Sequence, residues 1–407
     1  MLWKLAWRNL WRNRTRTVLT ALVIAVGLVA MVFTDTMFEG MNTNMVKNAT
    51  DSLMGHAQMN ALGFRDEQNV TLTINDIDQS LAHLEEHPHL SALSMRVVTQ
   101  SMLSSSAGTE PVLSLGIDPK EEHRLSKFDE AIIEGEYLDS ASGRNMILGS
   151  KLSEKLELHP GERLVLTTVD AASGEMTQEL FRLSGIFKTG EDKMDESMVV
   201  VPRKTLQQML KLEGKVHQIA MRFSQLTKDG VPLIPLAELH ESSGNELLLW
   251  TELMPSLYMM TQMTDLSMAI MGVILFLIIS LGITNTLLMG LYERLFEFGV
   301  IKSIGTTPWQ TARLMVYEAI CLGFFSVIVG LALSAVSTSM FASYGIDYIG
   351  IEISGVTLQE KIYPSLEWSR LVFYPFLSIG FTIIASVYPA CKLFYMLPID
   401  ALRKRKL

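Results

Sequence analysis

Four long apolar runs constrain this chain more than any other feature. They cover Thr17–Phe38, Met268–Leu291, Val316–Phe341 and Leu371–Leu397, and each contains 22 to 27 residues. An α-helix of 22 residues is roughly 33 Å long, which is enough to cross a bilayer core about 30 Å thick. Each run is therefore predicted to be a transmembrane helix. The first run exceeds the apolar length of a cleaved signal peptide, so we expect it to be a retained anchor.

The basic residues that flank these runs predict the orientation of the chain. Five bases precede the first run with no acid among them, and four follow the last run: Lys4, Arg8, Arg12, Arg14, Arg16, Arg403, Lys404, Arg405 and Lys406. In the connection 342–370, acids outnumber bases. Because cytoplasmic loops carry an excess of lysine and arginine, we expect both termini and residues 292–315 of this multi-pass membrane protein to be cytoplasmic.

The predicted boundaries follow from the runs and their orientation. They are 1–16 for a cytoplasmic elbow helix, 17–38 for the first span, 39–262 for an external domain, 263–291 for a stalk and second span, 292–315 for a cytoplasmic loop, 316–341 for the third span, 342–370 for an external loop, 371–397 for the fourth span and 398–407 for a basic tail.

The insert at residues 39–262 has the size and composition of a soluble domain. It carries 33 acidic and 19 basic residues, a net charge of −14, and no cysteine. The acidic balance disfavours binding to nucleic acid. Hydrophobic patterns and turn residues predict strands and helices in alternation: strands at Val112–Ile117, Arg163–Val169, Thr177–Phe187, Met198–Val201 and Val216–Phe223, and helices at Leu148–Leu158, Thr205–Lys211 and Glu246–Met263. The predicted fold class is a membrane protein with four transmembrane helices and a large α+β extracytoplasmic domain.

Two segments on the predicted cytoplasmic side have helical patterns. Tryptophans at helical spacing, with bases between them, predict an amphipathic elbow helix at Leu2–Arg14 whose bases contact lipid phosphates. Residues 293–305 form a charged, glycine-bounded stretch between the second and third spans. This stretch must lie in water, and it is predicted to form a short helix across the membrane face, where a soluble partner could push on it. The predicted helix at Glu246–Met263 would connect the second span to the insert as a stiff stalk.

Catalytic motifs give little support to an enzyme. His83–His87 fits the H-x-x-E-H pattern of zinc peptidases, with both histidines on one helical face. Pro88 ends that helix and no third ligand follows, so a chance match is favoured over a zinc site. The motifs G-x-x-x-x-G-K-[ST], G-x-S-x-G and C-x-x-C do not occur in the sequence. We therefore expect no cofactor on this chain and no enzymatic activity of its own.

Polar residues within the spans are candidates for an ion pathway. Asp35 lies near the outer end of its run, and Glu318 is predicted to lie in the first turn of the third span, where the helix dipole stabilises an anion. Asn285 lies within the second span. Structural roles are favoured, because these groups do not form a row. Cys321 and Cys391 lie in apolar runs and are expected to be buried.

Motifs along most of the chain resemble the FtsX/MacB-type, mechanotransmitting (type VII) ABC transporter permeases. The strongest matches surround the 293–305 segment: Asn285, Tyr292–Arg294, Glu297–Val300, Ile304, Gly305 and Glu318. Further matches are Trp7–Leu10, Arg12, Arg16, Thr17, Leu19 and Thr20 at one end, Ile147–Gly149, Leu152, Gly161, Glu162 and Gly185–Gly190 in the insert, and Tyr388–Ala390, Pro398 and Ala401–Arg403 at the other end.

The resemblance implies a dimeric permease of the cell inner membrane, with a porter-like lobe and a small β-rich lobe in the periplasm. The hydrophobic pattern predicts the strand-rich part near residues 120–203, inserted between the halves of the other lobe. It also implies partners: a cytoplasmic P-loop ATPase dimer that binds the ATP, a second permease copy or paralogue, membrane lipids, and a periplasmic or lipid-anchored cargo. Contact with the ATPase falls on Glu293, Arg294, Glu297, Phe298, Gly299 and Gly305, with Phe296, Val300 and Ile304 as the apolar side of the same helix.

The layout is most similar to stand-alone LolC/LolE-like subunits, because no ATPase domain precedes the first span. Lipoprotein or amphipathic cargo release is therefore the favoured function. Two alternatives of the same family stay open: a non-transporting FtsX-like regulator of a periplasmic enzyme, and a MacB-like efflux component. A membrane-anchored metalloenzyme is the alternative from another class. Charge reversal of Glu297 to arginine is expected to uncouple ATP hydrolysis from transport and to spare folding.

Overall fold

The computed structural model describes residues 2–139, 143–227, 230–233, 244–348, 352–353, 356–357, 361–365 and 368–399. Ala401, Leu402 and the bases of the predicted tail, at 403–406, lie outside them. The chain divides into two compact units. The first contains Met1–Met41, Thr261–Ile346 and Ile362–Leu407, and the second contains Asn42–Met260 and Asp347–Lys361.

The described helices fall into long apolar helices and short ones. They are α1 (Leu2–Leu10), α2 (Arg14–Ala49), α3 (Phe64–Glu67), α4 (Ile77–Glu85), α5 (Pro119–Leu125), α6 (Ser150–Lys155), α7 (Asp192–Ser197), α8 (Arg203–Leu210), α9 (Trp250–Leu253), α10 (Pro255–Glu293), α11 (Leu295–Ser303), α12 (Pro308–Tyr344) and α13 (Trp368–Tyr395). Within the described residues, four helical segments are long and apolar enough to cross a membrane, and they contain α2, α10, α12 and α13. The prediction of four spans is confirmed.

Two of these helices begin well before their apolar runs. The third spanning helix, α12, begins at Pro308 because Thr307 caps it: the Thr307 hydroxyl accepts from the Gln310 N–H, and the Gln310 side chain accepts from the Thr307 N–H. Glu318 therefore lies ten residues into this helix, and its predicted position in the first turn is wrong. The second spanning helix, α10, begins at Pro255.

The spanning helices pack closely where their side chains are small. A Cβ atom built on Gly330 of α12 would lie 2.9 Å from Leu28 Cδ2 and 3.3 Å from Ala25 Cα, both on α2. Small residues of this kind allow helix backbones in lipid to approach one another. Cys321 is buried as predicted, but Cys391 is exposed because it lies on the outer face of α13.

The described residues of the insert form one sheet of ten strands. The strands are β1 (Ala57–Ala61), β2 (Leu90–Ser104), β3 (Thr109–Ile117), β4 (Ile132–Gly135), β5 (Asn145–Gly149), β6 (Arg163–Val169), β7 (Met176–Phe187), β8 (Met198–Pro202), β9 (Gln218–Phe223) and β10 (Asn245–Leu249). Their order is β10-β1-β9-β2-β3-β8-β5-β7-β4, and β6 pairs with β2 and β7. The short strands β11 (Glu352–Ile353) and β12 (Val356–Thr357) pair separately.

The 15-residue strand β2 joins two groups of strands. Its first part pairs with β9 and its second part with β3 and β6. The strands from β3 to β8 lie between β1 and β9 in the sequence, as the predicted insertion near residues 120–203 requires. The α+β fold class of the insert is confirmed.

Three element predictions in the insert are wrong. Residues 245–249 form strand β10, so the helix predicted from Glu246 begins only at Trp250 and is interrupted before Pro255. Leu148 and Gly149 end strand β5, and the following helix is short. Helix α4 ends at Glu85, so His83 and His87 do not share a helical face. Pro88 follows too closely for the helix to continue through His87.

Candidate coupling site

The predicted helix at 293–305 is present but shorter. Glu293 is the last residue of α10, and Arg294 leaves the helical conformation with φ −104° and ψ 13°. Helix α11 then occupies Leu295–Ser303. Gly305 has φ +107°, a conformation that glycine adopts without strain, and it separates α11 from α12. The segment between the second and third spans is therefore a nine-residue helix between two breaks.

One face of α11 is buried against the spanning helices. Phe298, Gly299 and Lys302 are buried. The Lys302 Nζ donates to the backbone carbonyls of Leu393 at 2.6 Å, Met396 at 2.9 Å and Phe394 at 3.3 Å. These carbonyls lie at the end of α13, where a helix leaves its last acceptors unpaired. Burial lowers the pKa of Lys302 below its ordinary value. Lys302 thus binds α11 to the end of the fourth spanning helix.

The charged side of α11 is paired within the chain. The Glu297 carboxylate accepts from both Arg12 guanidinium nitrogens, one of them at 2.9 Å, and from Arg294 Nε at 3.4 Å. The hydrogen bond from Arg12 is the main reason why the pKa of Glu297 is below its usual value. Arg16 and Glu293 form a second ion pair next to it.

Glu318 of α12 is the deepest acid of this network. Arg294 Nη1 donates to its two carboxylate oxygens at 2.9 and 3.2 Å, and Asn9 Nδ2 donates to Oε1 at 2.6 Å. Arg294 compensates the charge of Glu318. This pairing favours a structural role for Glu318 over a role in an ion pathway. A cavity of about 280 Å³ lies among these side chains, with Thr17 and Thr20 in its wall.

The N-terminal helix reaches this network because the chain bends after it. A 3₁₀ turn at Trp11–Asn13 separates α1 from α2, so the elbow helix is shorter than predicted. The Thr17 hydroxyl donates to the Leu10 carbonyl at 2.6 Å. Residues seven apart in a straight α-helix are separated by roughly 10 Å along the axis, so this bond requires a bend. Trp11 also makes an edge contact with Phe325 of α12.

The other face of α11 is open. Phe296 is exposed, Ile304 is 81% exposed, and Trp309 at the start of α12 is 64% exposed. Phe296, Val300 and Ile304 recur every four residues and share one face, although Val300 is half-buried. These three residues were predicted to form the apolar side of the helix, and this side is the one that points away from the spanning helices.

The residues assigned to ATPase contact have different environments. Phe298 and Gly299 are buried, Arg294 and Glu297 are half-buried in ion pairs, and Glu293, Phe296, Ile304 and Gly305 are exposed. Their contact with an ATPase stays a prediction. No role was predicted for Lys302, and Arg12 was predicted to contact lipid phosphates, whereas it pairs with Glu297. The ion pairs of Arg12 and Arg16 could have been predicted from spacing. These two bases are four residues apart, and so are their partners Glu293 and Glu297.

A second ion cluster links the start of α13 to α2. The Arg370 guanidinium on α13 donates to Asp35 and, at 2.8 Å, to Glu39, both on α2. Asp35 is therefore paired, as the favoured structural role requires. Asn285 lies on the exposed side of α10.

Comparisons with known proteins agree with this architecture. A family model for the FtsX-like permease C-terminal region matches residues 269–398, and a model for the MacB-like periplasmic core domain matches residues 17–232. The chain is 19% identical over 392 residues to the lipoprotein-releasing system transmembrane protein LolC of Neisseria meningitidis serogroup B, covering 93% of this chain and 92% of that protein. It is 20% identical over 401 residues to LolC of Xylella fastidiosa, with the same coverage.

Two further matches cover less of the chain. The ABC transporter permease YtrF of Bacillus subtilis is 22% identical over 205 residues, which is 46% of this chain and 42% of that protein. The crystal structure of the periplasmic region of MacB from Actinobacillus actinomycetemcomitans covers 54% of this chain and 95% of its own length, with 10% identity and a TM-score of 0.36. The MacB-like model alone matches more than half of the 407 residues and the FtsX-like model most of the remainder, so the chain belongs to the FtsX/MacB family of ABC transporter permeases.

Proposed function

We propose that this permease transmits the motion of a separate cytoplasmic P-loop ATPase dimer to its large domain outside the membrane. ATP is bound by the partner, and a second permease copy or paralogue completes the complex. The excess of bases at the N-terminus supports an orientation with both termini and α11 in the cytoplasm and the insert in the periplasm. The observation that carries the proposal is the two-sided environment of α11, which is exposed on one face and bound on the other to α12, α13 and the turn before α2.

The contacts of α11 indicate which helices would move if a partner displaced α11. Lys302 binds α11 to the end of α13, Arg294 connects it to Glu318 on α12, and Glu297 connects it to the chain before α2. A partner that contacts Phe296 and Ile304 in only one of its nucleotide states would favour one arrangement of these helices. Such differential contact is the physical requirement for a ligand-driven shift between two states.

The favoured cargo is a lipoprotein or another amphipathic molecule released at the outer leaflet. This choice is supported by similarity to LolC proteins over 93% of the chain. A regulator of a periplasmic enzyme would share the same cytoplasmic machinery, so the captured cargo distinguishes these two functions.

Co-purification tests the contact with the ATPase. The full chain would be purified with an affinity tag from native membranes, and the accompanying vanadate-sensitive ATP hydrolysis would be measured. Phe296→Asp is expected to reduce this activity about tenfold to a hundredfold, because an aromatic side chain buried at an interface contributes roughly 1.5–3 kcal/mol. Ile133→Asp, at an exposed apolar residue of the insert, is the matched control and is expected to have no effect. Full activity with Phe296→Asp would contradict the proposed docking face.

Photocross-linking during ATP turnover tests the cargo. A lipid-anchored protein captured on the insert, and released when ATP is added, would support transport. Capture of a soluble cell-wall enzyme that stays bound through turnover would support the regulatory function instead.

A further inference from the structure

The end of helix α2 lies against the sheet of the insert. After Ala49 the helix changes to a π-helical turn, Thr50–Met54, and Gly55 ends it with φ +70°. A Cβ atom built on Gly55 would lie 2.8 Å from the carbonyl oxygen of Met221 on β9, so the two backbones are in close contact at this point. Single π-turns are rare, and they occur frequently at functional sites.

The carbonyl groups of this turn accept hydrogen bonds from other parts of the insert. A helix leaves its last four carbonyls without partners in its own backbone. Three are bonded here: that of Asp51 to the Lys127 N–H at 2.9 Å, that of Leu53 to Arg96 Nη1, and that of Met54 to Gln58 Nε2 at 2.8 Å. The helix end is therefore capped by the insert itself.

Arg96 on β2 is the central residue of these contacts. It is 1% exposed, and its Nε and Nη2 donate to the carboxylate of Glu122 on α5 at 3.0 and 2.6 Å, while Nη1 donates to Leu53. Glu122 is fully buried and also accepts from the hydroxyls of Ser94 and Ser126, both at 2.8 Å. Because the guanidinium is a rigid planar fork, it fixes α5, β2 and the π-turn in one arrangement. We call Thr50–Gly55, Arg96 and Glu122 the α2 joint.

Stability alone does not account for this ion pair. Apolar side chains of similar volume are often as stabilising as a buried ion pair, because desolvation of the two charges offsets their attraction. Apolar side chains cannot reproduce the directional hydrogen bond from Arg96 to the Leu53 carbonyl. The Leu53 side chain is 3% exposed and belongs to a core cluster with Leu115 and Phe128. The turn is thus held by its backbone as well as by its side chain.

The second connection between the insert and the spans is built differently. Met254 interrupts the chain between α9 and α10 with φ −126° and ψ 67°, and Pro255, the first residue of α10, has no N–H. Arg65 donates to the carbonyls of Glu252, at 3.2 Å, and Leu253, but it is exposed. The first connection is a helix with buried end contacts, whereas the second contains a bend.

We propose that Arg96 is a positioning residue of this permease: it makes the end of α2 and the sheet move together, so that a displacement of α2 moves the insert. This inference rests on the proposed function, because it names the point at which the transmitted motion enters the insert. Helix α2 contains 36 residues without a proline, so it is roughly 54 Å long and has no proline kink that would absorb a displacement along its axis.

Hydrogen exchange of the full chain in lipid nanodiscs, followed by mass spectrometry without nucleotide, tests the α2 joint. Arg96→Met combined with Glu122→Leu removes both charges, so that neither is left unpaired in the core. We expect the amides of residues 50–56 to exchange about tenfold to hundredfold faster, because the bond from a charged donor to the Leu53 carbonyl is lost. Exchange in β7 is expected to stay unchanged and serves as the internal standard.

A matched control removes a similar ion pair from the same elements. Arg203 donates to Glu121 on α5 at 2.6 and 3.1 Å and to the carbonyl of Met95 on β2 at 3.0 Å, so it lacks only the bond to the π-turn. Arg203→Met combined with Glu121→Leu is expected to leave the exchange of residues 50–56 unchanged.

A second variant covers the case in which the first does not fold. Arg222→Met removes the ion pair with the Asp51 side chain from a partly exposed position. We expect exchange of residues 50–56 to be about twofold to fivefold faster in this variant.

ATP with vanadate, added to the complex that co-purifies with the ATPase, tests transmission through the α2 joint. In the wild type we expect altered exchange both in α11 and in the insert. The Arg96→Met, Glu122→Leu variant is expected to keep the response of α11 and to lose that of the insert, with an unfolding midpoint close to that of the wild type. A purely structural role would change the midpoint and would not separate the two responses.

Several outcomes would overturn the proposal. Equal exchange of residues 50–56 in the wild type, the double variant and Arg222→Met would exclude the α2 joint, and an equal increase in the Arg203→Met, Glu121→Leu control would remove the specific role of Arg96. An insert of the double variant that responds to ATP and vanadate as strongly as the wild type would exclude the positioning role. Failure of α11 to respond in the wild type would instead contradict the proposed function, whereas exchange in the α2 joint is measured without nucleotide.

Discussion

The three hydrogen bonds of Lys302 give a direct test of how α11 is held. Lys302→Met retains most of the aliphatic side chain and removes the ammonium group. The carbonyls of Leu393 and Met396 then lose donors at 2.6 and 2.9 Å, and that of Phe394 loses a longer contact at 3.3 Å. The variant therefore removes the bonds between α11 and the end of α13 with little change in side-chain volume.

The expected magnitude follows from these contacts. A hydrogen bond from a charged group contributes about 1.5–3 kcal/mol net, so the two short bonds contribute roughly 3–6 kcal/mol. Burial of the ammonium group, which also lowers the pKa of Lys302, offsets part of this stabilisation. We expect the variant to lose about 2–4 kcal/mol of stability, equivalent to a decrease of about 2–5 °C in the thermal unfolding midpoint for a chain of this size.

The assay is thermal unfolding of the full chain in one detergent, followed by tryptophan fluorescence. Lys392→Met is the matched control, since Lys392 is exposed and contacts the Tyr292 hydroxyl on a neighbouring spanning helix. We expect this control to change the midpoint by less than about 1 °C. Equal midpoints for wild type and Lys302→Met would refute the argument that the carbonyls at the end of α13 depend on Lys302.

Three further predictions concern ionic groups. Arg12→Gln and Glu297→Gln should show a coupling free energy of only about 0.5–1 kcal/mol in a double-mutant cycle of unfolding, because both side chains are partly exposed. Burial lowers the pKa of His56 to about 4, so the folded state binds its proton less readily than the unfolded chain. The unfolding midpoint should therefore decrease as the pH falls from about 6.5 to about 4, and His56→Gln should reduce that slope in a pH series. Arg96 and Glu122 form a buried ion pair, so Glu122→Gln should cost roughly 3–5 kcal/mol, whereas the double variant Arg96→Met, Glu122→Leu should recover most of that loss in the same denaturation assay.

The spans and most strands were predictable because their signals are local. Length and hydropathy define a spanning helix, and alternation defines strands such as β6, whose predicted bounds Arg163–Val169 agree with the structure. The errors occurred where tertiary contacts or caps decide the end of an element. Residues 245–249 have an apolar run that suits a helix or a strand, and pairing with β1 selects the strand.

The contacts of the coupling site depend on residues far apart in the sequence. Lys302 was one base among several in a charged segment, and its burial follows from the position of Leu393, 91 residues later. No periodicity in either segment reveals that pairing. The open face of α11 was predictable from the sequence, however, because Phe296, Val300 and Ile304 recur at four-residue spacing and together form that face.

The charge of the 293–305 segment is therefore a poor guide to its partner. Glu297 binds Arg12 and Arg294, so replacing it with arginine would place three cations together and would break the link to the N-terminal helix. Such a variant would lose these contacts whether or not an ATPase contacts Glu297, so a loss of activity would not by itself show docking. The expectation that the variant spares folding stays a prediction, since the Arg12–Glu297 pair is partly exposed. Phe296 is exposed and uncharged, so its replacement removes no ion pair and gives a more direct test of docking. In a segment of this kind, the acids hold the helix in place and the exposed apolar side chains are the ones available to a partner.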